Sequence, residues 1–485
     1  MRGVLVVCLA IGAGCLRQTS FHCTSDLDCI NAGATGLCQS VGYCSFPDST
    51  CGGGQRYGEL SGPFANQCLG GDVGPDGGVD AEACSASCPL GCDPTNTRCL
   101  ALVPSNGIDP GWIGMGTAPL TATADLVIDT DAGTITPTVA GFVYHQVAPV
   151  DCGGGAMIGI GAFSFTSISI MDGVRVRAVG TRALALLAAG PIEIDGTLDV
   201  SGGAATPACV DPPRCAGPGS FDGGLYDAFN PQIGFGPGGG GHGYSNNGPG
   251  NESGGGGGGG CGNGGAGGDD GSGLYPAGAG GTSYLAASLQ PLCGGSGGGA
   301  GGPASFVGDP GSRGGGGGGA VQIVSTTSVT IGSTSPGSPS GITAGGAGGQ
   351  GDKAATFDDG GGGGGAGGAI LIEAPSITVT IDAVLAANGG GGAGGYNNGA
   401  VQTDGTAGLL SASVAAGGPG VRRGGNGAAA ATATGENAPG PVGDGGAGGG
   451  GGVGRIRLNA RTTTIAGVVS PSEGACTTKG ALTTQ

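Results

Sequence analysis

Large side chains and charges are scarce in this sequence. Aromatic residues make up 4% of the 485 residues, charged residues 10%, and tryptophan occurs once. A core built from large side chains is therefore excluded over much of the chain. Basic residues are scarcer than acidic ones, 16 against 34, which gives a formal charge of −18. That sign disfavours nucleic acid and anionic lipid surfaces as partners.

Candidate catalytic side chains are also few. The three histidines, His22, His145 and His242, stand in three different sequence contexts, and His145 reads as a strand residue rather than a base. A polysaccharide lyase or hydrolase on a β-solenoid needs carboxylates on one face, and the sequence does not reveal such a pair. The candidates for this role are Asp195, Asp358 and Asp359. We expect no catalytic activity, with such an enzyme as the alternative.

Glycine is what the chain has in excess, with 124 residues. The pentapeptide GGAGG occurs six times, and the glycine-rich runs cover roughly 204–319, 347–368 and 389–453. Ordering glycine is costly because its unfolded state is unusually free. Backbone hydrogen bonds and Cα–H···O contacts between closely packed chains can offset that cost. We expect ordered polyglycine-II-like insertions, since strands hold both ends of each run.

Four segments between these runs share one plan: an aliphatic strand, a polar break, and a second strand. They are 183–203, 320–346, 369–390 and 455–470. Their period-two alternation of β-branched residues is typical of strands. The stretch 163–179 begins about twenty residues earlier, a spacing that indicates one coil of a solenoid. The sequence predicts an all-β fold of right-handed parallel β-solenoid rungs, interrupted by the glycine-rich insertions.

The alternation also predicts which side chains face the solenoid interior. We expect one common interior for Ile192, Ile194, Ile323, Ile370, Ile372, Ile377, Val379, Ile381 and Ile456. Glu373 is expected to point outward, where its replacement would cost under ~0.5 kcal/mol.

The first fifteen residues have the plan of an export signal. Residues 1–15 combine one positive residue, a short apolar run and a small-residue end, too short to span a bilayer. The end of this stretch resembles a bacterial lipobox, although Gly12 stands where leucine is usual. The resemblance implies that Cys15 is lipidated and becomes the mature N-terminus.

The remaining sixteen cysteines occur in even blocks, as a disulfide framework requires. We expect a cysteine-rich module over 16–69, an acidic linker over 70–83, a second cysteine knot over 84–101 and the solenoid-like domain over 102–485. The disulfide candidates are Cys23, Cys29, Cys38, Cys44, Cys51, Cys68, Cys84, Cys88, Cys92, Cys99, Cys152, Cys209, Cys215, Cys261, Cys293 and Cys476. Zinc is the alternative in the first block, but it contains no C-x2-C pair.

Two resemblances bear on function. The run CSFPDSTCGGGQRYG at 44–58 resembles a cysteine-rich module of myxobacterial surface lipoproteins. The glycine runs resemble, in composition, the PGRS regions of mycobacterial surface proteins, which implies bundles of polyglycine-II helices. No helical hairpin of the kind that precedes those regions is present.

Together these features predict an exported, lipid-anchored surface protein, structural or adhesive in role. It would sit in the outer membrane or at the cell surface, or be secreted. Its partners would be the membrane, through the lipid, and extracellular polysaccharide or other surface proteins. No cofactor is expected. A calcium-dependent binding module is a further alternative, because 264–271 matches the start of a calcium-binding nonapeptide except for Gly271.

Overall fold

The computed structural model describes residues 21–31, 34–39, 41–49, 51, 54–61, 64–69, 88, 90–92, 99–203, 216–227, 230–245, 252–270, 275–303, 312–332, 340–351, 359–396, 401–439, 445–474 and 476–485. The expected signal segment 1–15 and the acidic linker 70–83 lie outside these residues. The chain divides into two compact units, Met1–Leu100 and Ala101–Gln485.

The first unit consists of short antiparallel strands. Strands β1 (Ile30–Asn31) and β2 (Ala34–Thr35) form one pair, preceded by a 3₁₀ turn at Asp26–Asp28. A four-stranded sheet follows, made of β3 (Leu37–Cys38), β4 (Cys44–Pro47), β5 (Gln55–Tyr57) and β6 (Cys68–Leu69). The buried hydrophobic cluster here is Cys23, Cys29 and Cys44, so disulfides take the place of an aliphatic core.

The second unit is built from three sheets that wind around one interior. Sheet one has seven strands: β10 (Val143–Asp151), β11 (Met157–Phe165), β14 (Ala183–Ala188), β19 (Ala320–Ser325), β22 (Ala369–Glu373), β25 (Arg455–Asn459) and β28 (Thr477–Gly480). Sheet two has six: β7 (Leu120–Ala122), β12 (Ile168–Ile170), β15 (Ile192–Ile194), β20 (Ser328–Ile331), β23 (Ser376–Val379) and β26 (Thr462–Ile465).

Sheet three has seven strands: β8 (Leu126–Asp129), β9 (Thr134–Thr136), β13 (Arg175–Val179), β16 (Thr197–Asp199), β21 (Ser340–Thr343), β24 (Ala383–Ala386) and β27 (Val468–Ser470). Every pairing in these sheets is parallel except β10 with β11 and β8 with β9. A short hairpin, β17 (Tyr226–Asp227) and β18 (Asn230–Pro231), lies in the longest glycine run, and a 3₁₀ turn spans Pro110–Trp112.

The succession of strands defines stacked coils. After β11, β12 and β13, each further coil adds one strand to each sheet in the same order. The register is direct, with Ile323 opposite Ile372 and Ile372 opposite Leu458. The prediction of an all-β, solenoid-like fold is therefore confirmed, because parallel strands at regular intervals along the chain form continuous sheets.

The interior is the aliphatic stack that the alternation predicts. Fully buried members of one hydrophobic cluster include Ile192, Ile194, Ile323, Ile370, Ile372, Ile377, Val379 and Ile456. The prediction for Ile381 is wrong, since its side chain is 74% exposed. Ile381 lies in the turn between β23 and β24, where the two-residue period of the strand has ended.

The expectation for Glu373 is half wrong. Its side chain does point away from the interior, but it is only 2% exposed. The segment 101–113 runs along the outside of sheet one and covers it. This segment pairs with the C-terminus through Val103 and Thr483, and near its other end Ser164 Oγ donates to the carbonyl of Trp112 at 2.6 Å.

The glycine-rich segments are joined by backbone hydrogen bonds at intervals of three residues. Three of them, 252–260, 359–368 and 445–454, form what we call the central triad. In 359–368, the N–H groups of Gly361, Gly364 and Gly367 donate to carbonyls of 445–454 at 2.8–2.9 Å. The other two phases of the same segment face other segments, as Gly363 donates to Gly299 and Gly365 to Ala347.

Hydrogen bonds at the same three-residue interval join the other two pairs of segments in the triad. Gly255 and Gly258 donate to Gly361 and Gly364, while 445–454 donates back to 252–260 through Gly449 and Gly452. Successive residues of such a segment bond to different neighbouring segments, and every third residue bonds to the same one. This pattern corresponds to three residues per turn.

Candidate functional site

Disulfides occupy the cysteines of the first unit. The bonds are Cys23–Cys38, Cys29–Cys44, Cys51–Cys68 and Cys88–Cys99, and Cys92 is also disulfide-bonded. The Sγ atoms of Cys23, Cys29 and Cys38 lie within 4.8 Å of one another, the spacing of a metal cluster. All three are oxidised, and zinc binds thiolates, so these residues do not form a zinc site in this state. Cys15 and Cys84 lie outside the described residues.

Two disulfides of the second unit join distant parts of the chain. Cys152–Cys293 spans 141 positions and Cys261–Cys476 spans 215. The second links the end of the glycine segment 252–260 to the last coil of the solenoid. Cys209 and Cys215 lie outside the described residues. Disulfides of this number indicate an oxidising environment.

Of the three candidate carboxylates, the structure describes Asp195 and Asp359, which lie in different elements. Asp195 lies in the turn between β15 and β16, next to Asp172, and Asp359 begins a glycine segment. Burial, and then the charge of Asp172, raises the pKa of Asp195. Asp359 is fully buried. Asp358 lies outside the described residues.

The three histidines occupy three separate places. His22 packs on Tyr43 in the first unit, and His242 packs on Tyr244 in a glycine segment. His145 lies in β10, as the sequence indicated, and stacks on Trp112 with ring centroids 4.4 Å apart and planes 4° from parallel. The stack joins β10 to the covering segment 101–113.

Glu373 is the centre of a buried polar network that the sequence did not reveal. Its carboxylate accepts from Ser105 N at 3.0 Å, Ser105 Oγ at 2.7 Å, Gln322 Nε2 at 2.7 Å and Asn459 Nδ2 at 3.1 Å. Four donors satisfy the charged group, as burial of a carboxylate requires. The network fastens the covering segment to three successive strands of sheet one, which makes it structural.

The ends of the glycine segments meet at one place, which we call the bundle tip. It is formed by Glu252, Gly302, Ser312, Asp359, Gln402 and Gly446. Gly446 N donates to Glu252 O at 2.6 Å, Gly360 N donates to Gly302 O at 2.8 Å, and Ser312 Oγ donates to Gln402 Oε1 at 2.7 Å. Gln402 Nε2 also donates to the carbonyl of Asp359.

The tip lies at the end of the central triad that is opposite the solenoid strands. Segments 359–368 and 445–454 begin at the tip and continue directly into β22 and β25. The four stretches of sequence next to these tip residues, 246–251, 304–311, 352–358 and 440–444, which we call the connecting stretches, lie outside the described residues.

The tip differs in chemistry from the glycine segments behind it. Buried polar residues are concentrated there, among them Glu252, Ser312, Asp359, Gln402 and Arg422. A cavity of about 260 Å³ lies beside them, lined by 266–269, 437–439, 446–447 and Arg422. The segments thus end in a polar layer, whereas their middle sections have only backbone groups to bond with.

No known protein family, curated protein or solved structure matches this chain. Among the residues described above, none forms a helix of the length and apolar character needed to cross a membrane.

Proposed function

We propose that this chain is an exported, lipid-anchored surface protein with a structural or adhesive role. In this proposal the right-handed solenoid is a rigid base, and the glycine segments are polyglycine-II helices packed on it. The bundle tip, with the connecting stretches next to it in sequence, makes contact with the partner. The observation that carries the proposal is the layer of polar residues, Glu252, Ser312, Asp359 and Gln402 among them, at one end of an ordered bundle. Binding stretches held by a rigid scaffold are the usual arrangement of recognition surfaces.

The packing supports the polyglycine-II assignment. A Cβ atom at Gly364 would lie 2.1 Å from the carbonyl oxygen of Gly390, and one at Gly451 would lie 2.0 Å from that of Gly365. Chains this close exclude side chains and allow each backbone group to bond with a neighbour. Three residues per turn, without hydrogen bonds inside the helix, describe the polyglycine-II and polyproline-II geometries.

The disulfides support export, because they persist only in oxidising compartments. Lipidation of Cys15 stays a prediction from the sequence. We expect the wild-type chain to partition into the detergent phase and Cys15→Ser to remain in the aqueous phase. A wild-type chain found wholly in the aqueous phase would remove the anchor from the proposal without affecting the tip.

The test of adhesion replaces the four connecting stretches by Gly/Ser sequences of equal length. We expect an unchanged melting temperature and loss of binding to beads coated with dextran, alginate or the protein itself. The control is Val468→Ser, at an exposed position of β27 far along the chain from every connecting stretch. Binding that survives the replacement would show that adhesion does not use the tip.

The enzyme and calcium alternatives stay predictions. The carboxylates available to an enzyme, Asp195 and Asp359, lie in different parts of the second unit, and in the calcium-like stretch 264–271 the divergent Gly271 lies outside the described residues. Neither alternative gains a specific observation from the structure.

A further inference from the structure

The outward face of sheet two carries two parallel rows of hydroxyl groups. In three successive coils a strand places hydroxyl residues at positions two apart, and the residue between them faces the interior. These six residues, which we call the hydroxyl face, are Ser328 and Thr330 of β20, Ser376 and Thr378 of β23, and Thr462 and Thr464 of β26. Each has a side chain that is at least partly accessible to solvent.

The register of the sheet aligns the two rows without offset. Ser328 pairs with Ser376 and Ser376 with Thr462, which makes one row. Thr330 pairs with Thr378 and Thr378 with Thr464, which makes the other. The second row continues into the earlier coils through Glu193, Ser169 and Thr121, which pair in the same register.

The rows are held on a rigid base. Val329, Ile331, Ile377 and Val379, the inward neighbours of the hydroxyl residues, are all fully buried in the solenoid core. Threonine is branched at Cβ and has restricted χ1 angles in a strand. The hydroxyls are therefore repeated at the spacing of the sheet, about 4.8 Å between strands and about 6.6 Å along each strand.

The chemistry of the hydroxyl face selects a neutral, hydrogen-bonding, periodic ligand. Its six residues include no charge and no aromatic ring, although the whole chain has a formal charge of −18. Anions have no counter-charge among these six residues, and the acidic residue in the continued row is Glu193, which pairs with Thr330. Sugar rings have no aromatic surface to stack on, which is the usual support for a bound apolar ring face.

Tetrahedrally ordered water fits this description. Two O–H···O hydrogen bonds of about 2.8 Å that meet at a tetrahedral oxygen place the outer oxygens about 4.5 Å apart. That distance is close to the spacing of the hydroxyls across neighbouring strands. Water molecules bound to one row would thus already have the separation of second neighbours in ice.

We propose that the hydroxyl face binds the surface of ice. The inference is independent of the bundle tip, because the rows lie on the solenoid and contain none of the tip residues. Binding of ice requires the whole periodic array of hydroxyl groups. One bulky side chain in the middle of the hydroxyl face should therefore abolish ice binding.

The test uses the full-length purified chain and two tyrosine variants. Thr378→Tyr places a ring in the centre of the hydroxyl face, and Val468→Tyr places the same ring on the outward face of sheet three, at a position 39% exposed. We expect the wild-type chain and Val468→Tyr to enter a growing ice hemisphere and to show thermal hysteresis. In Thr378→Tyr the thermal hysteresis should fall at least about five-fold, while the temperature at which the protein unfolds should not change. If Thr378→Tyr fails to fold, Thr464→Tyr on the exposed last coil replaces it.

Three results would overturn the proposal. The first is exclusion of the wild-type chain from ice, and the second is an equal effect of the two tyrosine variants. The third is retention on microcrystalline cellulose or chitin that Thr378→Tyr abolishes, with ice growth unaffected, which would assign the face to a neutral polysaccharide.

Discussion

Ser105 and Glu373 are joined by two hydrogen bonds across 268 positions of the chain. The backbone N–H of Ser105 donates to Oε2 of Glu373 at 3.0 Å, and its hydroxyl donates to Oε1 at 2.7 Å. The pair fixes the covering segment 101–113 against strand β22. The carboxylate is buried because this segment lies over it.

Replacement of Glu373 should therefore be costly. Glu373→Ala leaves the buried donors of Gln322 and Asn459 and the half-buried donors of Ser105 without their acceptor, at a cost of at least about 1–3 kcal/mol. The matched control is Glu193→Ala, an exposed outward position of β15 that should change stability by under about 0.5 kcal/mol. Chemical denaturation measures both variants. Equal stability of the two would mean that the covering segment does not hold the carboxylate.

The interior stack gives a second matched pair. Ile372→Ala removes methyl groups from a fully buried site and should cost about 2–5 kcal/mol. Ile381→Ala, in the neighbouring turn and 74% exposed, should cost under about 0.5 kcal/mol. Thermal melts of the two variants compare these losses of stability. A large loss in Ile381→Ala would contradict the end of the strand at Val379.

Glycine in the central triad should be irreplaceable even by alanine. The Cβ of Gly364→Ala would lie 2.1 Å from the carbonyl oxygen of Gly390, an overlap that costs about 1–3 kcal/mol when the backbone shifts. At Gly111 the nearest atom to a new Cβ is the side-chain Oδ1 of Asp109 at 3.2 Å, which can move. We expect Gly364→Ala, but not Gly111→Ala, to melt earlier and to be cut faster by subtilisin. Similar digestion of both would argue against close packing.

Asp195 should make stability depend on pH in a specific direction. Burial and Asp172 raise its pKa in the folded chain. The folded state therefore favours the protonated carboxyl, and stability falls as pH rises through the folded pKa. Asp195→Asn should melt at a higher temperature than wild type at pH 7, and the difference should vanish well below the ordinary carboxyl pKa of 3.8.

The control for this change is Asp382→Asn, at the exposed corner between β23 and β24, with an expected effect under about 0.5 kcal/mol at either pH. A wild-type chain more stable than Asp195→Asn at pH 7 would mean that the carboxylate has a favourable partner. Thermal melts at pH 7 and pH 2.5 provide the comparison.

The solenoid was predictable because its signal is local. Ile370 and Ile372 alternate with neighbours on the same strand, and period two alone places them inside. Ile381 continues the alternation in the sequence, but the chain has already turned, and the adjacent Asp382 is the residue that favours this turn. For Glu373, the alternation of its own strand predicts that the side chain points outward. Its burial could not be predicted in this way, because it depends on Ser105, which is far away in the chain.

The candidate site was less predictable for the same reason. The separations of Cys152 from Cys293 and of Cys261 from Cys476 are set by how the coils and glycine segments stack. Composition indicated packed glycine helices but could not reveal which segments are neighbours. The sequence contains the tripeptides SVT, SIT and TTT that form the hydroxyl rows. Their alignment in rows follows only from the register of the strands in the structure.

The three-residue interval of the glycine bundle restricts how its length can change. One inserted residue would rotate the rest of its segment by a third of a turn, and every later N–H would then point at the wrong neighbour. Growth without that error comes in whole turns of three residues, or roughly 9 Å at the ~3.1 Å rise of the proposed polyglycine-II helix. The surrounding segments must gain the same turn, or the new donors and acceptors would have no partners. The distance from the solenoid to the bundle tip can therefore change only in steps of one turn. Each step requires several segments to lengthen together.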